Sequence, residues 1–297
     1  MNLLTFDFGG TSVKYTLWQE DKLLDVASFP TPDTWEGTKE KILAVKTEFE
    51  KDYTLDGAAF SFPGCVDNEA GDIKGHSAIR YIHHFPIQAE LTALLNLPVA
   101  MENDANCAAL AEVWLGVAKE AKNILFVVVG TGIGGAVVLD GKIHTGGHLY
   151  GGEFGFMYLK YDGFKKYSLS DLGTAVRMAE RYCDSINVPR GTYSGKQIFQ
   201  LAKEGDAEAV REVDAFYHYL SIGLFNLQAS FDPEAIVIGG GLSANTEIIT
   251  NLETRVNALL EEAHIKDFKA QILPCFYKND ANLIGAVKNF LMRNETN

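Results

Sequence analysis

The segment Glu102-Asn103-Asp104-Ala105-Asn106 places carboxylates and two amides where a short strand gives way to an apolar helix. A carboxylate in that position suits a general base facing a bound hydroxyl. The same residues also suit a plainer role, because Asn103 or Asp104 can serve as the N-cap of the helix. Three glycine-rich turns elsewhere favour the chemical role. They have the character of phosphate holders and leave the alcohol side of a phosphoryl transfer to this segment.

The first such turn is Asp7-Phe8-Gly9-Gly10-Thr11-Ser12. Gly9 and Gly10 allow close backbone approach to a phosphate, and Thr11 and Ser12 add hydroxyl donors. Asp7, at the strand end, can organise a Mg²⁺ ion through water. It is not a Walker A loop, which requires Gly-Lys-Ser/Thr opening a helix. The second turn, Gly130-Thr131-Gly132-Ile133-Gly134-Gly135, satisfies G-x-G-x-x-G. The strand-forming run Ala136–Leu139 follows it instead of a helix, so a phosphate clamp fits better than a dinucleotide fingerprint. Gly239-Gly240-Gly241 joins a β-branched strand to an expected helix from Leu242 and suits adenosine or its phosphates. Each turn, standing alone, is also compatible with an ordinary tight connection. The run Gly146–Gly155 adds His148 and Glu153 as acceptors for polyol hydroxyls, with a surface loop as the alternative.

The elements that position these residues fall into a repeated pattern. Strands are expected at Leu3–Phe8, Ser12–Trp18 and Leu23–Phe29, then a helix over Trp35–Lys51 and a buried strand at Gly57–Phe62. A strand at Leu97–Met101 leads into a helix over Asn103–Val117. The pattern restarts at Asn123–Val129, with a hairpin turn at Asp140-Gly141. Ser194-x-x-Gln197 reads as a capping box. A long helix spans Asp206–Phe231, and a strand Ala235–Ile238 follows. Two related α/β lobes with a cleft between them are expected, divided near Gly116–Lys122.

Composition narrows the class. Over 297 residues, 47% are hydrophobic and 22% charged, an ordinary balance for about two globular domains. A net charge of −13 argues against a nucleic-acid partner but not against ATP, which local backbone N–H groups can hold. The four cysteines, Cys65, Cys107, Cys183 and Cys275, match no metal-ligand spacing. No apolar run approaches the roughly 20 residues of a membrane helix, and Met1 leads directly into Leu3-Leu4-Thr5-Phe6. A cytoplasmic protein without a membrane partner is expected.

Taken in order, these segments resemble the ROK family (repressor, open reading frame, kinase) of sugar kinases. The resemblance runs from Phe6–Thr11 through Phe62-Pro63-Gly64, Glu102–Asn106, Gly130–Gly135 and Gly152-Glu153-Phe154-Gly155. It continues through Asp232-Pro233-Glu234 and Ile236–Gly241 to Leu283-Ile284-Gly285-Ala286. It implies a two-lobed, actin-like (RNase H-like) ATPase fold with a central cleft. A sugar and phosphate lobe would comprise 1–117 plus 281–297, and a nucleotide lobe 118–280. It further implies Asp104 as the base for the sugar hydroxyl, with Asn103, Glu153, Gly64 and His148 on the sugar side. Asp7, Gly9, Gly10, Thr11, Thr131, Gly132, Gly240 and Gly241 would serve ATP and Mg²⁺. A homodimer is the assembly that the resemblance implies.

The departures concern the substrate. Family members usually follow G-E-x-G with a zinc-binding histidine, and here that position is Phe156. The stretch Lys160–Ser168 contains no cysteine where the family carries C-x-C-G-x-x-G-C, so no zinc site is expected. Ser168 falls nearest the usual second sugar-binding glutamate, and segment 76–85 lacks the Asn and Trp often found beside the sugar. The expected activity is ATP-dependent phosphorylation of a hexose or derivative at the 6-hydroxyl, glucokinase-like. N-acetylmannosamine kinase and β-glucoside kinase are the alternatives within the class. A sugar-responsive repressor is disfavoured, since it needs a DNA-binding extension of roughly 60–80 residues and the first strand begins at Leu3.

Overall fold

The structure, a computed structural model, describes residues 1–294. It comprises two compact units. The first contains Met1–Lys119, Thr145–Tyr150 and the described residues from Asn279 on; the second contains Glu120–His144 and Gly151–Lys278. Against the expected division, Thr145–Tyr150 and its His148 go with the first unit. Residues 295–297 of the expected first lobe lie outside the described residues.

In the first unit, β1 (Leu3–Phe8), β2 (Ser12–Gln19), β3 (Lys22–Leu23) and β4 (Ala27–Pro30) form the opening meander. The single strand expected at Leu23–Phe29 is therefore two short ones, and both pair with β2. Next come α1 (Trp35–Phe49), β5 (Gly57–Phe62), β6 (Cys65–Asp67), β7 (Asp72–Lys74), α2 (Ile87–Leu95), β8 (Val99–Asn103) and α3 (Asp104–Trp114). The sheet order is β3-β2-β1-β5-β8, with β1, β5 and β8 parallel. Every residue of β1 and β5 is buried, as befits parallel strands covered on both faces. Phe6 stacks on Phe60 at 5.0 Å, and Phe8 meets Phe62 at 4.6 Å. Each such ring is worth about 2–3 kcal/mol relative to exposure, so this stack is a principal anchor of the core.

The second unit contains β9 (Ile124–Val129), β10 (Ile133–Leu139), β11 (Lys142–Ile143), β12 (Tyr158–Tyr161) and β13 (Lys166–Ser168). These are followed by α4 (Leu169–Leu172), α5 (Ala175–Ser185), α6 (Gly195–Lys203), α7 (Ala207–Phe231), β14 (Ala235–Gly240), α8 (Thr246–Glu262) and β15 (Ile272–Pro274). Its sheet order is β11-β10-β9-β14-β15. As in the first unit, an antiparallel hairpin is followed by two parallel additions. The helix expected from Leu242 begins only at Thr246, capped by Asn245; Gly241–Ala244 form a 3₁₀ turn.

The last helix, α9 (Ala281–Asn294), returns to the first unit. Asn289 Nδ2 donates to the Met101 carbonyl at 3.0 Å, tying α9 to β8.

Candidate active site

Strand register assembles the acidic half of the site. Parallel pairing sets Asp7 beside Ser61, and Ser61 beside Glu102; antiparallel pairing sets Asp7 opposite Lys14. The carboxyl ends of β1, β5 and β8 therefore bring Asp7, Gly64 and Asn103-Asp104 to one edge, where ligands of open α/β sheets bind. Ser61 Oγ donates to Asp7 Oδ1 at 2.9 Å, and Asn282 Nδ2 donates to the same oxygen at 3.0 Å. Asp7 Oδ2 meets Lys14 Nζ at 3.8 Å. With one oxygen doubly bonded and the other holding only a long ion pair, this carboxylate fits a hydrated Mg²⁺ held through water.

Asn103, not Asp104, is the N-cap of α3. Its Oδ1 accepts from Asn106 N–H at 3.1 Å. Its Nδ2 donates to the Gly64 carbonyl and to Asp104 Oδ1, each at 3.0 Å. The amide is thus largely occupied, leaving one lone pair of Oδ1 for a hydroxyl. Asp104 is freed from capping. Its Oδ1 also accepts from Ala105 N–H at 2.9 Å, so Oδ2 remains for a ligand. Burial pushes the Asp104 carboxyl up to about 6; the Ala105 N–H opposes this, and the negative charge of Asp7 adds to it. A base poised near 6 is ionised at neutral pH while still able to hold a proton.

Beneath them Glu102 is buried. It accepts from Asn103 N–H at 2.8 Å and from Asn106 Nδ2 and Asn68 Nδ2, each at 3.0 Å. Burial raises its carboxyl above the usual range, with these donors and Arg293 acting in the opposite sense. Glu102 belonged to the quoted motif, but sequence assigned it no task. Its burial at a strand end is a tertiary fact.

In the first unit's glycine turn, Gly9 N–H donates to the Ser12 carbonyl and Thr31 N–H to the Thr11 carbonyl, each at 3.0 Å. Gly9, Gly10 and Thr11 are exposed at the turn surface. His148 is exposed in Thr145–Tyr150. Glu153 belongs to the second unit, at the start of the 3₁₀ turn Phe154–Phe156. It is exposed by area, yet burial around its carboxyl raises its pKa.

The second unit holds a cavity of about 760 Å³, within the usual range for a cofactor-sized ligand. Thr131 and Gly241 line it, as do Gly195, Lys196 and Phe199 of α6. Gly132 and Gly240 are not among its lining residues. Gly240 instead shapes the strand end. At φ +78° and ψ −167°, an added Cβ would lie 2.3 Å from the Val129 carbonyl oxygen. The α6 wall was missed from sequence, although the Ser194/Gln197 capping box that starts it was visible.

Where the family carries its cysteines, β12 and β13 form a hairpin. Asp162 accepts from Phe164 N–H at 3.0 Å, Lys165 N–H at 2.8 Å and the Tyr167 hydroxyl at 2.8 Å. These three donors hold the Asp162 carboxyl down at about 2. Ser168 and Asp171 close a capping box on α4. Phe156 is 70% exposed and offers no ligand. Among the described residues no three His, Cys, Asp or Glu side chains group to hold a metal ion. No helix among the described residues is long and apolar enough to cross a membrane.

Comparison with known proteins follows the same lines. The ROK family model matches residues 3–293. The β-glucoside kinase of Listeria monocytogenes is 34% identical over 295 residues, covering 98% of both chains. The N-acetyl-D-glucosamine kinase of Escherichia fergusonii is 29% identical over 84% of this chain and 88% of that one. A ROK family protein from Streptococcus pneumoniae, solved in complex with sucrose, superposes with a TM-score of 0.89 at 34% identity over the whole of both chains. The α/β architecture is accordingly the actin-like ATPase fold, and the chain belongs to the ROK family, among its sugar kinases.

Proposed function

We propose that the protein transfers the γ-phosphoryl group of ATP to the 6-hydroxyl of a hexose derivative, with Asp104 as general base. The observation that carries this reading is Asp104 itself. It is freed from capping by Asn103, held through Oδ1, raised to about 6 by burial, and left with Oδ2 for a hydroxyl. As a carboxylate, Asp104 takes the hydroxyl proton while the sugar oxygen bonds to the γ-phosphorus. The bond from phosphorus to the ADP oxygen breaks, and ADP leaves with its electron pair. The Asn103 Oδ1 lone pair and the acceptors Glu153 and His148 orient the sugar, with Gly64 supporting Asn103. On the resemblance, Gly9, Gly10, Thr11, Thr131, Gly132, Gly240 and Gly241 are assigned to the nucleotide. Asp7 holds Mg²⁺ through water, and when bound that ion offsets charge on the phosphate oxygens.

For the acceptor, the relatives named β-glucoside kinase at 34–35% identity over 98% of this chain favour a β-glucoside over plain glucose. That replaces the glucokinase-like preference drawn from sequence and agrees with the hairpin that stands in place of a zinc site. The test is ATP consumption against glucose, N-acetylmannosamine, N-acetylglucosamine, fructose, mannose and cellobiose. Cellobiose should give the highest kcat/KM. Turnover of none of the six would overturn the kinase reading, and a clear preference for glucose would overturn the acceptor. The homodimer implied by the resemblance is read by light scattering of the purified protein.

A further inference from the structure

We infer that His83, locked by Ser77, is a positioning residue that holds the Asn103–Asp104 pair in its working geometry through Gly64. The inference rests on the proposed role of Asp104. Ser77 Oγ and His83 Nε2 share a hydrogen bond of 2.8 Å. Ser77 is itself fixed, since its Oγ accepts from Ile79 N–H at 3.2 Å and lies 3.3 Å from the Ile79 carbonyl. Burial lowers the His83 pKa and the Ile73 and Lys74 backbone acts against it, so the ring is faced by backbone as well as held by the Ser77 side chain.

The carbon between the two ring nitrogens bears on Gly64. His83 Cε1 lies 2.8 Å from where a Cβ on Gly64 would sit, so the imidazole fills the side-chain space that glycine leaves open. Gly64 adopts φ +109°, a conformation open to glycine and strained for residues with a side chain. Its carbonyl accepts from Asn103 Nδ2, and the same amide donates to Asp104 Oδ1. The contacts form one chain: Ser77, His83, Gly64, Asn103, Asp104. Removing the imidazole would free the Gly64 peptide to rotate and carry the Asn103 amide with it. A misplacement of about 1 Å costs on the order of a hundredfold where reacting atoms must align. A ring two residues removed should cost less than that.

The test uses His83→Ala, His83→Gln, Ser77→Ala and the double variant His83→Ala/Ser77→Ala. Each is assayed with whichever of the six sugars is phosphorylated fastest, beside Asp104→Asn. His83→Ala should lower kcat tenfold or more while KM for ATP stays within twofold and KM for the sugar within threefold. Ser77→Ala should lower kcat about threefold. The double variant should be no slower than His83→Ala, because both changes cut the same chain. His83→Gln, which can retain the bond to Ser77, should recover to within threefold of the parent.

Unchanged kcat in His83→Ala, or a raised sugar KM at constant kcat, would reduce His83 to part of a wall and overturn the inference. Losses that multiply in the double variant would also overturn it. Should His83→Ala fail to fold, an unchanged kcat in Ser77→Ala overturns it instead. The two readings separate cleanly. If Asp104→Asn loses turnover and His83→Ala does not, only this inference fails; if Asp104→Asn keeps turnover, the base assignment fails.

Discussion

The two units share a strand plan and differ in what the strand ends carry. In each, an antiparallel hairpin is extended by two parallel strands: β2-β1-β5-β8 in the first and β10-β9-β14-β15 in the second. The first unit ends its parallel strands in Asp7, Gly64 and Glu102-Asn103-Asp104. The second ends β9 in Val129 and β14 in Gly240, with no carboxylate at either end. A framework that repeats its backbone therefore divides its chemistry. One unit concentrates negative charge and raises a carboxyl toward neutrality. The other leaves bare backbone beside a cavity of about 760 Å³. Burial and repulsion between acids suit a base that must take up a proton, whereas a polyanionic nucleotide is better received by N–H groups and hydroxyls.

The sharpest way to break this contrast is to exchange backbone for side chain at equivalent strand ends. Gly240→Ala puts a Cβ 2.3 Å from a carbonyl oxygen in a conformation essentially reserved for glycine. It should cost about 3 kcal/mol or more, lowering Tm by about 6–12 °C in a thermal melt. Gly64→Ala meets the side chains of His83 and Ile73 rather than backbone at closest approach, so it should lose less stability and more turnover. Equal losses of stability would contradict the division. Next in size is pH. With Asp104 as the proposed base acting in its carboxylate form, kcat/KM should fall about tenfold per unit below pH 6 and level off above it. An acid limb near pH 4 would mean that the raised carboxyl is not the base.

Smaller effects sharpen the picture. Thr131→Ala removes one hydroxyl from the cavity of the second unit and should raise KM for ATP about tenfold with kcat nearly unchanged. A change in sugar KM alone would place Thr131 on the wrong substrate. Smallest is a stability effect at Asp104. Because its folded pKa is raised, the stability it contributes is complete at low pH and is lost as pH rises through about 6. Asp104→Asn should therefore raise Tm by a few degrees at pH 8, and the difference should vanish below pH 4. A lower Tm at pH 8 would contradict the burial argument.

Sequence disclosed the framework better than the walls. The β-branched and aromatic runs at Leu3–Phe8, Gly57–Phe62 and Ile124–Val129 are buried strands because their pattern is local. Asp104 was legible from its place ahead of an apolar helix, but which residue caps that helix was not. Capping depends on whether Asn103 or Asp104 turns inward, and the Gly64 carbonyl from the bend after β5 favours Asn103. The task of Glu102, the α6 wall of the cavity and the Ser77–His83 pair stayed hidden for the same reason. The first two are made by residues distant in sequence, and the third by a pair six residues apart in an irregular segment, with no periodicity to announce any of them. The helix expected at Leu242 begins only at Thr246, because Gly241–Ala244 take a 3₁₀ turn and Asn245 supplies the cap.

The central claim is that Asp104 takes the proton of the acceptor hydroxyl. It is tested most directly by measuring kcat and sugar affinity of Asp104→Asn side by side, since the amide keeps the shape and loses the base. The account predicts a fall in kcat of about a thousandfold with the sugar dissociation constant changed less than threefold. A variant that phosphorylates its sugar at near the parent rate would contradict it.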